Sequence, residues 1–312
     1  MVAIIETIKP DRPHRLDERD WDILLRQISK GRCTPIIGSG ACSGLYSMKG
    51  ERAQKWAEDE DYPLENCSEL ARVAEFLAVR DYPAKPIERL VEEFSEVKAP
   101  DYSDPNEFHR VLANLPLPVY ITTNYDNFLF QAFSKRALPR DARRDYCRWR
   151  KGMDVMPSVF SGEYQPTVAN PAVFHLYGQI ENENSLVLTV NDYLQFLVNV
   201  SRQEKLIPPV IQGAITGGSL LFLGYQLDEW DFRILFHTFQ SYLQTALTKA
   251  HVSVQVVPMV RPESPEQLAK ATSYLNCYFE RELYNTRVYW GSCHEFVEEL
   301  RERWEASRYA NH

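Results

Sequence analysis

Thr34-Pro35-Ile36-Ile37-Gly38-Ser39-Gly40 is the stretch whose reading decides the fold. Its apolar half reads as a short buried strand. It runs without a spacer into glycines, which permit a tight turn. Upstream, Asp17 can cap a helix in which Trp21, Leu24, Leu25 and Ile28 recur at helical spacing, with Gly31 just past its end. Downstream, the pattern over 49–97 is helical in three pieces, KGERAQKWAEDE, SELARVAEFLAVR and KPIERLVEEF. Breaks fall at Tyr62-Pro63 and Tyr82-Pro83, because proline ends helices. This is more helix than one β-α-β connection needs. Residues 45–100 therefore read as a helical subdomain inserted into a single domain over 1–312.

Further strands are predicted at LPVYITTN (117–124), AVFHLYG (172–178), LVLT (186–189), SLLFLGY (219–225), HVSVQVV (251–257) and NTRVYWG (285–291). Helices are expected near 106–113 and over 127–137, twice across 190–216, over 228–245, from Ser264, and in the closing SCHEFVEELRERW. The charged stretch 138–150 reads as loop plus an edge strand. Strands alternating with helices in this way predict an α/β fold, a Rossmann-like parallel sheet covered by helices on both faces.

Composition narrows the function classes. Net charge is −8 over 312 residues, which argues against a generally basic nucleic-acid binder. Hydrophobic residues at 44% and charged ones at 25% are globular values. No apolar run is long enough to span a bilayer, and the first residues lack the basic and apolar regions of a signal peptide. A cytoplasmic protein with reduced thiols is the expectation. The cysteines are Cys33, Cys42, Cys67, Cys147, Cys277 and Cys293, and no two lie three apart. Without a C-x-x-C pair, no zinc module and no bound metal are expected.

Open α/β sheets bind ligands beyond the carboxyl ends of their strands, so candidate chemistry is sought there. Gly38-Ser39-Gly40-Ala41 could let backbone N–H groups approach a phosphate, or could simply be a tight turn into a helix. In Thr122-Thr123-Asn124-Tyr125-Asp126, an amide and a carboxylate two residues apart could hold ribose hydroxyls or a water, or could cap a helix. His175 could be a structural hydrogen-bonder and is also the best general-base candidate, since histidine titrates near working pH. His109, His237 and His294 sit in helical patterns that suggest packing or surface roles. Gly224-Tyr225, after SLLFL, forms a second glycine turn able to approach a nucleotide.

Taken in order, IIGSGACSG, ITTNYDN, FHLYG and LLFLGYQLDEWDFR resemble the sirtuin superfamily, and in particular its bacterial sirtuin-like branch linked to NAD depletion in antiphage defence. The resemblance runs over about residues 30–305, through the terminal VYWGSCHEFVEEL. It implies a Rossmann-type NAD domain with an inserted piece, NAD+ as substrate, and roles for particular residues. Gly38, Ser39, Gly40 and Ala41 would cradle the pyrophosphate. Asn124 would hold the nicotinamide ribose and the attacking water, Thr123 would contact the nucleotide, and Asp126 would support the pocket. His175 would be the base acting on a ribose hydroxyl, and Gly224 and Tyr225 would line the nucleotide end. The four-cysteine zinc module of deacylating sirtuins has no counterpart, and Cys42 stands where many relatives have serine.

The expected activity is an NAD+ glycohydrolase releasing nicotinamide and ADP-ribose. A protein deacylase or ADP-ribosyltransferase, and a non-catalytic NAD or ADP-ribose-binding subunit, are the alternatives. A dehydrogenase fits less well, because no acidic residue ends a recognisable second strand about 20 residues after the glycine turn. The resemblance also implies gating: a homo-oligomer activated by a separately encoded sensor or ATPase, of HerA type. Arg136–Arg150, with six arginines, is a candidate docking surface for an acidic partner or a solvated loop.

Overall fold

Among the described residues, five strands pair in parallel in the order β3-β4-β2-β1-β5. They are β1 (Cys33–Ile37), β2 (Val119–Thr122), β3 (Arg143–Tyr146), β4 (Ala172–His175) and β5 (Ser219–Leu223). The structure is a computed structural model, and the described residues are 16–225 and 289–307 with Phe232, Ile234, Leu235, Glu266, Ala269, Lys270, Ser273, Tyr274 and Tyr309. The strand expected at 251–257 and most of the helix at 228–245, of the helix from Ser264 and of the strand at 285–291 fall outside them, and the described residues of the two helices are helical.

Strands β1, β2, β4 and β5 are buried along their whole length, as a sheet covered on both faces requires. Successive side chains then alternate between two cores. Ile36, Val119, Ile121, Phe174, Leu220 and Phe222 belong to one core, and Ile37, Tyr120, Val173, Leu221 and Leu223 to the other. The first face is covered by α2 (Lys49–Asp59), α3 (Leu70–Arg80) and α4 (Lys85–Ser95), with later helices over Val190–Arg202 and Pro209–Gly217. The second is covered by α1 (Glu18–Ser29), α5 (Phe108–Asn114), α6 (Phe128–Ser134) and the terminal helix Cys293–Ala306. Each large apolar side chain fully buried in such a core contributes about 1.5–3 kcal/mol. The α/β reading from sequence therefore holds.

Local signals in the sequence explain several boundaries. Asp17 accepts from the Asp20 N–H (2.7 Å) at the start of α1, and Gly31 just beyond its end has φ +62°. The three helices between β1 and β2 match the three sequence pieces, with Pro63 and Pro83 in the breaks. Strand β3 lies at the outer end of the described sheet, beside β4, as the edge-strand reading of 138–150 expected.

One expected strand is absent. Leu186–Thr189 is extended and its three apolar residues are buried, yet it joins no sheet. Its backbone groups are used elsewhere: the Val187 N–H donates to Tyr177 O (3.0 Å) and the Tyr125 hydroxyl donates to Val187 O (2.6 Å). A short apolar run identifies burial but not pairing.

The arginine-rich stretch is largely spent on the fold itself. Arg140 donates to Leu115 O (2.7 Å), Arg144 pairs with Glu181 (2.7 Å), Arg150 with Asp192 (2.9 Å) and Arg148 with Asp145 (2.8 Å). Arg136 reaches Asn114 (2.8 Å), and the exposed Arg143 reaches Asp141 (3.2 Å).

Candidate active site

The chain leaves β1 for β2 on one side and returns to β5 on the other, so β1 is the topological switch point where open α/β sheets hold ligands. The carboxyl ends of β1, β2, β4 and β5 bring all ten sequence-predicted site residues into one region.

Two of these ends are joined backbone to backbone. The Gly38 N–H donates to Leu223 O (2.7 Å), the Gly40 N–H to Gly224 O (2.9 Å), and the Ala41 N–H to Gly38 O (3.1 Å) within a short 3₁₀ turn, Ser39–Cys42. A Cβ on Gly38 would lie 2.7 Å from Gly224 O, and one on Gly224 would lie 2.5 Å from Ala41 N. Gly224 also has φ +75°. These glycines thus allow two turns to pack against each other. Three of the N–H groups expected to cradle a pyrophosphate already have acceptors, and Ser39 is the cradle residue whose N–H has none among the described residues. Thr123 and Tyr225 complete this seam through their hydroxyls (3.1 Å).

The ends of β2 and β4 present side chains instead. Asn124 is buried; its amide donates to Gly38 O (3.0 Å) and to Cys42 Sγ (3.5 Å), which leaves its Oδ1 for the pocket. Its backbone is held by the Thr122 hydroxyl, which accepts from the Asn124 N–H (3.0 Å). His175, at the end of β4, is 1% exposed, and its Nδ1–H donates to Asn124 O (3.1 Å). That bond puts the ring proton on Nδ1 and the lone pair on Nε2, which is buried and has no hydrogen-bond partner. Burial lowers the His175 pKa from its ordinary 6.5, outweighing the Asn124 carbonyl and the nearby Asp126, so the ring is kept neutral.

These groups line one pocket, bounded by Ile37, His109, Asn124, Asp126, Phe130 and His175. The enclosed space is about 10 Å³, room for a single water-sized group.

Asp126 anchors a second layer. Its Oδ1 accepts from the Phe128 N–H (3.1 Å), and its Oδ2 accepts from the Tyr46 hydroxyl (2.9 Å) and the Cys42 thiol (3.4 Å). Burial pushes the Cys42 thiol well above its ordinary pKa, with Asp126 adding to the effect, so it acts as an S–H donor. His109, read from sequence as a packing or surface residue, is a pocket wall. Its Nε2 lies 3.9 Å from Cys42 Sγ, and its Nδ1 lies 2.8 Å from Glu107. Tyr46 carries the stacked guanidinium of buried Arg52 (5.5 Å), which pairs with Glu93 (2.7 Å), so α2 and α4 are tied to this layer. Sequence reasoning missed His109, Glu107 and Tyr46. The available signal was a polar pair, Glu107 and His109, bracketing Phe108 where α5 starts.

The SIR2-like domain family matches residues 118–282, a little over half of the chain. The chain belongs to this SIR2-like family. Its β2, β4 and β5 and the turns after them fall inside the matched region, in agreement with the resemblance seen in TTNYD and LGYQLDEWDFR. Similar curated proteins include the NAD(+) hydrolase ThsA of Cytobacillus dafuensis, 22% identical over 221 residues, covering 68% of this chain and 40% of that protein. The NAD(+) hydrolase ThsA of Enterococcus faecium is 27% identical over 128 residues, covering 40% of this chain and 23% of that protein. The SIR2-like chain thus spans less than half the length of these relatives. A solved Sir2 homologue–NAD complex aligns over 94% of this chain and 97% of its own, at 13% identity and a TM-score of 0.39.

Proposed function

We propose that the protein is an NAD+ glycohydrolase that cleaves NAD+ with water to nicotinamide and ADP-ribose. The observation that carries this reading is His175 Nε2: a neutral, buried, unpartnered base in a polar pocket at the switch point of the sheet. Membership of the SIR2-like family and the names of the similar NAD(+) hydrolases support the choice of substrate.

The chemistry follows from what the pocket offers. The bond between ribose C1′ and the nicotinamide nitrogen breaks, and its electron pair neutralises the pyridinium, so the leaving group needs no acid. Positive charge develops on the ribose, where Asn124 Oδ1 can orient a hydroxyl or the attacking water. Water adds at C1′, and His175 Nε2 receives the proton released before passing it to solvent. Asp126, fixed by Tyr46, Cys42 and the Phe128 N–H, shapes the floor of the pocket. In this reading the attacking water sits in the pocket and the nicotinamide–ribose end lies at its mouth, with the glycine turns and Tyr225 on the side of the phosphates.

An enzyme that destroys NAD+ harms its host, so its activity is taken to be gated. In this reading the chain is an NAD-depleting effector of bacterial antiphage defence that self-associates and turns over when a separately encoded sensor or ATPase joins it. The arginine stretch lends little to that partner surface, because its guanidiniums are engaged within the chain.

Mass spectrometry tests the reading. Incubation with NAD+ and no acceptor, alone and with the product of a neighbouring gene, should yield nicotinamide and ADP-ribose in equal amounts. Binding without turnover in both conditions, or a product formed only with an acylated peptide, would overturn it.

A further inference from the structure

We propose that Cys42, His109 and Asp126 form a binding site for one zinc-class divalent cation. Their Sγ, ring-nitrogen and carboxylate oxygen atoms all lie within 4.8 Å of one another, and all three residues are buried. Around a tetrahedral zinc with bonds of about 2.0–2.3 Å, neighbouring donor atoms stand roughly 3.3–3.8 Å apart. Cys42 Sγ is 3.4 Å from Asp126 Oδ2 and 3.9 Å from His109 Nε2, so small side-chain movements would close the set.

The surroundings have the form that orients metal ligands. His109 Nδ1 bonds the carboxylate of half-buried Glu107 at 2.8 Å, the carboxylate–histidine arrangement that fixes the orientation of a ligating ring. That bond leaves Nε2, the nitrogen facing Cys42, with the lone pair. Asp126 is held through its other oxygen by the Phe128 N–H. His109 and Asp126 also line the pocket, so a fourth coordination position would open onto it.

Binding balances chemically. The Cys42 S–H bond breaks, its proton leaves to solvent, and the sulfur forms the metal bond. One thiolate and one carboxylate offset the two positive charges in a buried setting, while imidazole supplies a neutral donor. A mixed thiolate, imidazole and carboxylate set favours zinc over magnesium or calcium. The expectation of no metal rested on cysteine spacing, whereas these donors come from a turn after β1, from α5 and from the turn after β2. Where the proposed NAD+ cleavage holds, an ion here would pin Asp126 beside Asn124 and slow turnover; metal binding itself does not rest on that reading.

The test uses the full chain without NAD+. Equilibrium dialysis against zinc chloride should give one zinc per chain. Cobalt(II) loading should give a thiolate-to-cobalt charge-transfer band in the near ultraviolet. Cys42→Ser should lose the band and the bound metal, with circular dichroism confirming its fold. Glu107→Gln, which keeps all three donors, should weaken binding about 10–100-fold; it serves as the deciding variant if Cys42→Ser does not fold. No bound zinc in the wild type, a charge-transfer band that survives in folded Cys42→Ser, or unchanged affinity in Glu107→Gln would each overturn the proposal.

Discussion

The carboxyl ends of β1 and β5 and those of β2 and β4 lie side by side, yet they are built from different materials. At β1 and β5, glycines bring two turns so close that backbone N–H groups of one donate to carbonyls of the other. At β2 and β4, side chains project into a pocket, and one of them, His175, keeps a buried nitrogen without a partner. A glycine-rich turn is the feature that draws the eye in a nucleotide-binding fold. Here it supplies rigid packing, and the groups able to react sit one and two strands away, after β2 and at the end of β4. Breaking the two regions should therefore give different phenotypes: lost stability at the first, lost chemistry in a folded protein at the second.

The largest effect is expected at the polar end. His175→Ala and Asn124→Ala should each lower NAD+ cleavage by about 10²–10⁴-fold under activating conditions, with the thermal melt still cooperative. Next comes the glycine seam. Gly224→Ala combines a positive φ with a 2.5 Å approach to the Ala41 backbone nitrogen, and should cost about 2–4 kcal/mol in denaturant unfolding. Gly44→Ala sharpens the contrast: it has φ +85° but nothing within 4 Å, so only the conformational cost of about 1–2 kcal/mol should remain. If the two alanine variants were equally stable, close packing would not be what Gly224 provides.

The smallest effect is a pH dependence of stability. Burial favours neutral His175 in the fold. Its contribution to stability is therefore fully present above the ordinary value of 6.5 and is lost as pH falls from there through the lower folded value. Comparing unfolding of the wild type with that of His175→Gln between pH 7 and 5 should show a steeper loss in the wild type (about pH 6.5 marks its onset).

Much of this arrangement was legible in the sequence, for identifiable reasons. TPII, VYITTN, AVFH and SLLFL are buried at every residue, and such runs alternating with helices read as the strands of a parallel sheet. Asn124, Asp126 and His175 stood out because they are polar at the ends of those runs. Leu186–Thr189 was misread because burial alone does not reveal whether a backbone pairs. His109 was undervalued because its partners, Cys42 and Asp126, are brought to it by the packing of α5 on the sheet, which no spacing encodes. The role of Gly38 and Gly224 in each other's packing depends on two strands that meet only in the sheet order.

The measurement that tests the central claim most directly is kcat/KM for NAD+ against pH, which reports the ionisation of the free enzyme. With His175 Nε2 as the base, and burial holding its pKa down, the wild type should lose activity along an acid limb whose midpoint lies below 6.5. His175→Gln should be slow and without that limb. A wild-type midpoint at or above 6.5, or a limb that persists in His175→Gln, would contradict the assignment.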